Sequence, residues 1–330
     1  MKKVVYYNVS GDLSYEQNLL KEWKVRDLEL IEVKDEGNKQ FIPLVSYYNP
    51  DGLVVEYQRV DAQDMEQLPG LKIISLQSIG YNNIDVAAAD KRNICVTNAP
   101  GFCAREVAEH AIGMLLSLSR KIPMYDRIVR AGRWDPFVGY EMSGLKDKVI
   151  GLVFFGEIPK HMVPVLKALG MKVLVYAPTK TREYLQTFQC EKAETMEELL
   201  TQSDVVSLHC PLIPGVTYHL IGEKELWMMK EDAFLINTAR GSVVEEKALI
   251  RALQEGWIRG AGIDVLEDET ELNPALLHLE NLVITPHAAF MSKDSYYLAK
   301  EIALRQQVLR LHDRQMPEYP VNQKGKIQIC

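Results

Sequence analysis

The sequence lacks the features that mark several protein classes. No stretch approaches the ~18 consecutive apolar residues that a transmembrane helix needs, and the first residues, MKKVVYYNVSGD, contain no long apolar segment of a signal peptide. Internal repeats and low-complexity segments are also missing. We therefore expect a globular protein that neither spans a membrane nor carries a secretion signal.

Cysteine is scarce, and its spacing is irregular. The chain has 5 cysteines, no C-x-x-C pair and an odd total. This pattern argues against a zinc site and against a disulfide framework. We expect no bound metal and a reducing, cytoplasmic compartment. The cysteines are Cys95, Cys103, Cys190, Cys210 and Cys330.

Positive charge is not in excess. The formal net charge is -7 and the pI is about 5.6. A protein with this balance has no electrostatic reason to bind nucleic acid or an anionic membrane surface. What the sequence does contain is 330 residues, 47% of them hydrophobic, which is enough for about two domains with normal cores.

One stretch, residues 148–178, has the pattern of strand, turn, helix and strand. Residues 149–155 form an apolar run typical of a buried parallel strand. Apolar residues then recur every three or four positions, as on one face of a helix, at Met162, Val163, Leu166 and Leu169. Gly170 ends this helix, and residues 171–176 form a second strand. Such a β-α-β unit is typical of the nucleotide-binding half of a doubly wound sheet.

Further strands and helices alternate on both sides of this unit. The breaker Ala99-Pro100-Gly101 predicts a domain boundary, and the wide apolar stripe of residues 104–121 predicts a helix buried between domains or subunits. His110 lies on this helix, and we assign it no chemistry. The alternation predicts an α/β fold of two doubly wound, parallel-sheet, Rossmann-like domains. Strands are expected at 3–8, 28–33, 52–55, 71–76, 204–210, 233–237, 260–265 and 282–285, with a final helix at 292–311.

Three ionisable residues, Arg240, Glu269 and His287, follow the ends of successive predicted strands. Ligands of such sheets bind outside the carboxyl ends of the strands, so these residues are expected to converge. A planar, permanently charged Arg suits a carboxylate, and a His can exchange a proton with a neighbouring C–OH or C=O. A carboxylate paired with the imidazole would orient it and stabilise its charged form. Taken together, the three residues indicate oxidoreduction of a hydroxy or oxo acid.

The same segments carry a family resemblance. The chain resembles the D-isomer-specific 2-hydroxyacid dehydrogenases, which include D-lactate, D-3-phosphoglycerate and glyoxylate/hydroxypyruvate dehydrogenases. The matching segments are residues 78–85 (SIGYNNID), 107–110 (VAEH), 236–241 (INTARG), 263–265 (IDV) with Glu269, and 285–287 (TPH).

The resemblance implies that two parts of the chain form domains with different functions. Residues 1–99 and 291–330 would form the substrate-binding, catalytic domain, and residues 100–290 the dinucleotide-binding domain, with a cleft between them. Arg240 would bind the substrate carboxylate, and His287 would be the general acid/base with Glu269 as its partner. The resemblance also implies a homodimer acting on a small 2-oxo or 2-hydroxy acid.

It further implies two sets of contact residues. The substrate would meet the backbone N–H groups of Ile79 and Gly80, and Trp134 would reach the partner subunit's site. Asp264 would approach the carboxamide of the nicotinamide. The full set of implied cofactor-binding residues is Val107, Gly156, Glu157, Ile158, Thr179, Lys180, Arg182, Pro211, Thr217, Thr238, Ala239 and Asp264.

The sequence departs from the dinucleotide fingerprint G-x-G-x-x-G. Its glycine positions are Phe154, Gly156 and Pro159, and the usual acid near the second strand is Ala177. One interpretation is a site for NADP(H), with Thr179, Lys180 or Arg182 binding the 2′-phosphate. The other is weak or lost dinucleotide binding, since Glu157 adds negative charge and Pro159 lacks an N–H.

We favour an active enzyme that uses NAD(H) or NADP(H), because the substrate residues are all present. One alternative is a family member with impaired dinucleotide binding that acts as a non-catalytic sensor or scaffold. Another is an unrelated binding protein with two α/β lobes.

Overall fold

The computed structural model describes residues 1–35, 40–141 and 143–322, and within these ranges the chain forms two compact units. Unit 1 comprises Met1–Phe102 and Ser292–Cys330, and unit 2 comprises Cys103–Met291. The predicted α/β class with two parallel sheets is confirmed.

Unit 1 is built on a parallel sheet of five strands in the order β2-β1-β3-β4-β5. Its core consists of aliphatic strand residues that are almost completely buried, as expected for a parallel sheet covered on both faces. Its elements up to residue 102 are β1 (Lys2–Tyr7), α1 (Ser14–Glu22), β2 (Leu28–Val33), α2 (Phe41–Ser46), β3 (Gly52–Val55), α3 (Ala62–Glu66), β4 (Ile73–Leu76), α4 (Val86–Lys91) and β5 (Cys95–Thr97).

Unit 2 holds a seven-stranded parallel sheet in the order β12-β11-β10-β9-β6-β7-β8. Its elements are α5 (Ala104–Ser119), α6 (Ile122–Arg130), β6 (Val149–Val153), α7 (Glu157–Ala168), β7 (Lys172–Tyr176), α8 (Arg182–Gln186), β8 (Glu191–Lys192), α9 (Met196–Gln202), β9 (Val205–Leu208), α10 (Glu223–Met228), β10 (Phe234–Asn237), α11 (Glu246–Glu255), β11 (Gly260–Ile263) and β12 (Leu282–Ile284).

The last helix, α12 (Lys293–Leu311), returns to unit 1. Leu304 and Val308 of this helix belong to the same buried cluster as Val4 and Tyr6 of β1. The amide of Gln307 donates to the backbone oxygen of Leu53 at 3.1 Å. Apolar packing and a buried hydrogen bond therefore tie the end of the chain to the first sheet.

Two differences from the predicted elements have physical causes. β6 ends at Val153 rather than 155, because Phe154 has a φ of +69°, which no strand residue adopts. The strands β5 and β8 were not predicted, because runs of three and two residues carry no periodic signal and are defined by pairing to a neighbour.

Candidate active site

The carboxyl edge of the unit 2 sheet collects residues that are far apart in sequence. The strands pair in register, with Val153 opposite Leu208 and Asn237 opposite Ile263. The residues one position further therefore form a row along this edge. In spatial order the row is Ala177, Phe154, His209, Thr238, Asp264 and Thr285.

Arg240 leaves this edge two residues beyond the row, in a turn built by Asn237. The buried Asn237 side chain accepts from the N–H of Ala239 and donates to the oxygen of Arg240, each at 3.0 Å. At Gly241, a Cβ atom would lie 1.7 Å from the backbone oxygen of Leu266, so only glycine fits there. The turn is therefore closely fixed on both sides of Arg240.

His287 and Glu269 form the predicted pair. The Nδ1 atom of His287 lies 2.9 Å from both carboxylate oxygens of Glu269. Since the carboxylate only accepts, Nδ1 carries a proton and Nε2 remains available for another partner. Both side chains are partly exposed, at 39% and 45%. The ring of Phe290 lies perpendicular to the imidazole, with 6.3 Å between centroids.

The turn after β6 gives Phe154 a backbone conformation that glycine adopts readily. Phe154 takes the left-handed φ of +69° that glycine normally supplies, and its N–H donates to the oxygen of Tyr176 at 2.8 Å. Its side chain packs on a core cluster of unit 2. Such a conformation costs a non-glycine residue about 1–2 kcal/mol. Packing and the hydrogen bond hold it in place.

Pro159 occupies a position where no N–H is needed. Gly156 is the N-cap of α7, and the first intrahelical donor is the N–H of Lys160, which bonds to the oxygen of Gly156. Pro159 is thus the third helical residue, whose amide would have no intrahelical acceptor. The amides of Glu157 and Ile158 remain as first-turn donors for an anion.

The residues present fit a dinucleotide at this turn. Among the described residues, a Cβ atom at Gly156 would meet nothing within 4 Å, so there is open space above the helix start. The carboxylate of Glu157 is paired with Lys160 at 2.7 Å, which offsets the negative charge that the sequence places near a pyrophosphate. Gly156, Glu157 and Ile158 are therefore able to hold the phosphates.

The segment after β7 carries no acid in the ribose position. Ala177 is buried, and Thr179 is exposed. The guanidinium of Arg182 pairs with Glu194 at 2.6 Å, and the ammonium of Lys180 lies 5.0 Å from the ring centroid of Tyr184. Of the three residues predicted to bind a 2′-phosphate, Arg182 is thus already paired.

Several of the remaining predicted cofactor residues lie in three places in unit 2: the loop after β9, helix α5 and the end of β10. Thr217 is buried, and its hydroxyl closes the loop after β9 by donating to the oxygen of Pro211 and accepting from the N–H of Ile213, both at 2.6 Å. Thr217 therefore shapes the loop. Val107 is buried on α5, and the buried Thr238 hydroxyl has no hydrogen-bond partner among residues 1–35, 40–141 and 143–322.

Ile79 and Gly80 follow β4 in unit 1. The hydroxyl of Ser78 donates to the oxygen of Gly80, and the amide of Asn98 donates to the oxygen of Ile79, both at 2.8 Å. Within the described part of unit 1, the N–H groups of Ile79 and Gly80 have no acceptor. These two amides are therefore free to bind an anion.

Sequence reasoning missed His209, which it placed inside a strand. His209 lies in the row at the sheet edge; its Nε2 is 2.9 Å from the hydroxyl of Ser207, and its buried Nδ1 has no partner in the described part of the chain. Burial lowers the pKa of the imidazole to about 3. The only available signal was its place near the end of the predicted strand 204–210.

This lowered pKa predicts acid sensitivity. In the unfolded chain His209 binds a proton below about pH 6.5, whereas in the folded protein it binds one only below about pH 3. Unfolding therefore takes up protons, and stability falls with decreasing pH in that window, by up to about 1.4 kcal/mol per pH unit. Urea unfolding between pH 7 and pH 4 should show a weaker fall for His209→Asn than for the unchanged protein. The same slope in both proteins would contradict the assignment.

Glycine substitutions test the open space at the β6–α7 turn. Gly156→Ala should leave the fold intact, at a cost below about 1 kcal/mol for the changed N-cap. It should weaken binding of reduced dinucleotide roughly tenfold, about 1.4 kcal/mol, by placing a methyl group in the phosphate space. Nicotinamide fluorescence titration and thermal unfolding measure the two effects.

Gly151→Ala is the matched control for Gly156→Ala. Its Cβ would lie 2.3 Å from the Ser203 hydroxyl and 2.7 Å from Leu199. It should therefore destabilise the fold by about 1–3 kcal/mol. Unchanged dinucleotide affinity in Gly156→Ala would show that the ligand does not use this space.

No group of three or more His, Cys, Asp or Glu residues in the described ranges is arranged to hold a metal, and no described helix combines the length and apolarity needed to cross a bilayer. Burial raises the pKa of the Cys103 thiol to about 12. Cys330 lies outside the described residues, and the other cysteines are free and buried: Cys95, Cys103, Cys190 and Cys210.

Comparison with known proteins places this geometry in a family. The model for "D-isomer specific 2-hydroxyacid dehydrogenase, NAD binding domain" matches residues 112–289. A glyoxylate reductase of Thermococcus litoralis is 44% identical over 238 residues, which cover 69% of this chain and 70% of that protein.

Solved structures of related enzymes align with nearly the whole chain. A D-isomer-specific 2-hydroxyacid dehydrogenase from Lactobacillus delbrueckii ssp. bulgaricus, in its NAD-complexed form, aligns with a TM-score of 0.78 and 30% identity over 97% of this chain and 100% of that one. An acyclic imino acid reductase in complex with NADPH and D-Arg aligns with a TM-score of 0.82 and 27% identity, covering 97% of this chain and 100% of that one.

The parallel sheets and the helix start that fits a dinucleotide agree with a nicotinamide-dependent oxidoreductase, the class that the comparisons give. The chain belongs to the D-isomer-specific 2-hydroxyacid dehydrogenase family. Its activity is hydride transfer between a nicotinamide dinucleotide and a 2-oxo acid or D-2-hydroxy acid, so the predicted function is confirmed. Membership removes the alternative of an unrelated two-lobed protein, and nothing in the comparisons supports a sensor or scaffold.

Proposed function

We propose that Arg240 binds the substrate carboxylate and that His287, paired with Glu269, is the general acid/base. The observation that carries this proposal is the His287–Glu269 pair, because both 2.9 Å contacts lie on Nδ1 and leave Nε2 for the substrate. The fixed turn around Arg240 supports the carboxylate role, since a planar guanidinium can bind both carboxylate oxygens at once.

In the direction of reduction, a nicotinamide dinucleotide, when bound, would supply the hydride that the carbonyl carbon of the 2-oxo acid accepts. His287 donates a proton from Nε2 to the carbonyl oxygen, which becomes the hydroxyl of the product. Glu269 keeps the proton on Nδ1 and stabilises the imidazolium before that transfer. In the direction of oxidation, Nε2 takes the proton back from the hydroxyl.

We infer that unit 2 binds the dinucleotide and that unit 1 contributes the amides of Ile79 and Gly80 to the substrate carboxylate. The open space at Gly156 among the described residues and the position of Glu157 and Ile158 in the first turn of α7 support the first part. The lack of acceptors for the two unit 1 amides within the described residues supports the second. The residues proposed to contact the cofactor are Val107, Gly156, Glu157, Ile158, Thr179, Lys180, Arg182, Pro211, Thr217, Thr238, Ala239 and Asp264.

We propose that NADPH binds at least as well as NADH. With Ala177 in place of an acid, nothing at that position repels a 2′-phosphate, and Thr179 and Lys180 lie just beyond it. Arg182 could contribute only by leaving Glu194. The NADPH complex of the imino acid reductase shows that a relative of this fold accepts that cofactor.

The experiment titrates the purified protein with NADH and NADPH and follows nicotinamide fluorescence. A panel of 2-oxo acids, with glyoxylate and phenylpyruvate as the small and large extremes, is then assayed at 340 nm. We expect saturable binding below millimolar concentration and turnover of at least one acid. Binding of neither cofactor would overturn the proposed dinucleotide site, and tighter binding of NADH would overturn the cofactor preference.

We propose that the protein is a homodimer joined through unit 2 and that it works in the reducing cytoplasm. Large apolar side chains are exposed on α6 and in the segment after it: Ile122 at 55%, Val129 at 45%, Trp134 at 89% and Phe137 at 90%. Such exposure is typical of a surface that a second copy covers. Trp134 is the residue proposed to reach the partner subunit's site.

Light scattering of the purified protein tests the dimer. We expect twice the chain mass for the unchanged protein, and monomers for a Val129→Asp, Phe137→Asp double variant. A monomeric unchanged protein would contradict the proposal.

A further inference from the structure

A second imidazole–carboxylate pair lies behind the loop that carries His287. His110 of α5 and Asp264, at the end of β11, approach to 3.6 Å between Nε2 and Oδ1. Thr285 lies beside both: its hydroxyl is 2.9 Å from Nε2 of His110 and 2.5 Å from Oδ1 of Asp264. We call His110, Thr285 and Asp264 the His110 relay.

The buried end of the relay holds the His287 loop. The carboxylate of Asp264 accepts from the N–H of Ala288 at 2.8 Å and of Ala289 at 2.9 Å. The backbone oxygen of Asp264 accepts from the N–H of His287 at 2.7 Å. Every one of these donors lies within residues 285–289, so one aspartate binds the chain on both sides of the imidazole.

The hydrogen bonds to Asp264 affect the backbone conformation of His287. Its φ is +52°, a left-handed conformation that costs a non-glycine residue about 1–2 kcal/mol. The backbone keeps such a conformation only where its surroundings impose it. The bonds from Asp264 are those surroundings, and they set the direction in which the His287 side chain leaves the loop.

The available hydrogen atoms determine the direction of the hydrogen bond between His110 and Thr285. The hydroxyl of Thr285 has one hydrogen, and the carboxylate of Asp264 can only accept it. The same hydroxyl must therefore accept from His110, so Nε2 of His110 bears a proton. The relay runs in one direction, from the His110 N–H through Thr285 to Asp264.

We propose that the His110 relay positions His287, with His110 and Thr285 as positioning residues that act through Asp264. The proposal rests on the acid/base role of His287. It gives Asp264 a role in addition to the proposed contact with the nicotinamide carboxamide, because its carboxylate accepts three hydrogen bonds from residues 285–289.

The test uses His110→Leu, Thr285→Val and the double variant, with the exposed His278→Gln as a matched control. We expect kcat for 2-oxo acid reduction to fall about 10-fold in each single variant, the lower end of the range for partners that orient an active group. The dissociation constant of the reduced dinucleotide should change less than about twofold. The double variant should be no slower than the slower single one, because both break the same chain.

Two further measurements separate positioning from packing. His110→Gln keeps an N–H near the place of Nε2 and should recover part of the lost kcat, as should Thr285→Ser, which keeps the hydroxyl. In a His287→Ala background, adding His110→Leu should not lower the residual rate further, since the relay then has nothing to position.

Full kcat in both single variants would overturn the relay, as would a further loss in the His287→Ala background. A raised dinucleotide dissociation constant at unchanged kcat would assign the cluster to cofactor binding and overturn positioning. Full activity of His287→Ala would instead overturn the acid/base role, so the two failures are distinguishable.

Discussion

Replacing His287 by alanine is expected to lower kcat for 2-oxo acid reduction by about 10²–10⁴-fold, because the carbonyl oxygen then lacks a positioned proton donor. Dinucleotide affinity should stay within about twofold, since no cofactor contact depends on the imidazole. Steady-state kinetics at saturating cofactor measures the first effect and fluorescence titration the second.

The backbone at His287 calls for a second variant. Because φ is +52°, alanine bears the same strain, whereas asparagine tolerates this region better. His287→Asn should thus lose as much kcat while remaining at least as stable as His287→Ala. Glu269→Gln keeps an acceptor for Nδ1 but removes the charge, and should lose about tenfold. Residual activity in His287→Ala above a tenth of the original would assign the proton transfer elsewhere.

Replacing Arg240 by lysine is expected to raise KM for the 2-oxo acid about 10–100-fold, equivalent to the loss of a charge-assisted hydrogen bond worth about 1.5–3 kcal/mol. Lysine keeps the positive charge but presents a single point donor instead of a planar fork. KM for the cofactor should not change. Steady-state kinetics over a range of substrate concentrations separates the two constants.

A control for Arg240→Lys is Arg251→Lys, which alters an exposed arginine paired with Glu223 and Glu255 on the surface of unit 2. It should leave both KM values unchanged, because exposed ion pairs contribute little. An equal rise of KM for substrate and cofactor in Arg240→Lys would indicate a displaced turn rather than a lost carboxylate contact. Thermal unfolding of both variants shows whether the turn has changed.

Residues 148–178 show why the fold was predictable. Burial of a parallel strand and of one helix face both require apolar residues at fixed spacings, and that requirement is local. The strand, helix and strand therefore lie close to the predicted places, at Val149–Val153, Glu157–Ala168 and Lys172–Tyr176. The missed strands β5 and β8 depend on partners elsewhere in the chain.

The altered G-x-G-x-x-G motif shows that a comparison of sequence motifs alone can misjudge a turn. Phe154 and Pro159 look like losses when glycine is the only expected residue. In the fold, Phe154 takes the glycine-like φ of +69° and Pro159 occupies a helix position that needs no N–H. The strand, turn and helix thus form with Phe154 and Pro159 in place.

By itself, the sequence determined the α/β class and the family and singled out Arg240, Glu269 and His287 as candidates, because residue type and order along successive strands carry that information. Only the tertiary structure decided which atoms meet: Nδ1 of His287 with Glu269, and His110 with a threonine 175 residues away. The reason is physical. Secondary structure follows from neighbours in the chain, whereas a hydrogen bond between distant side chains depends on sheet order and register, which no local pattern encodes.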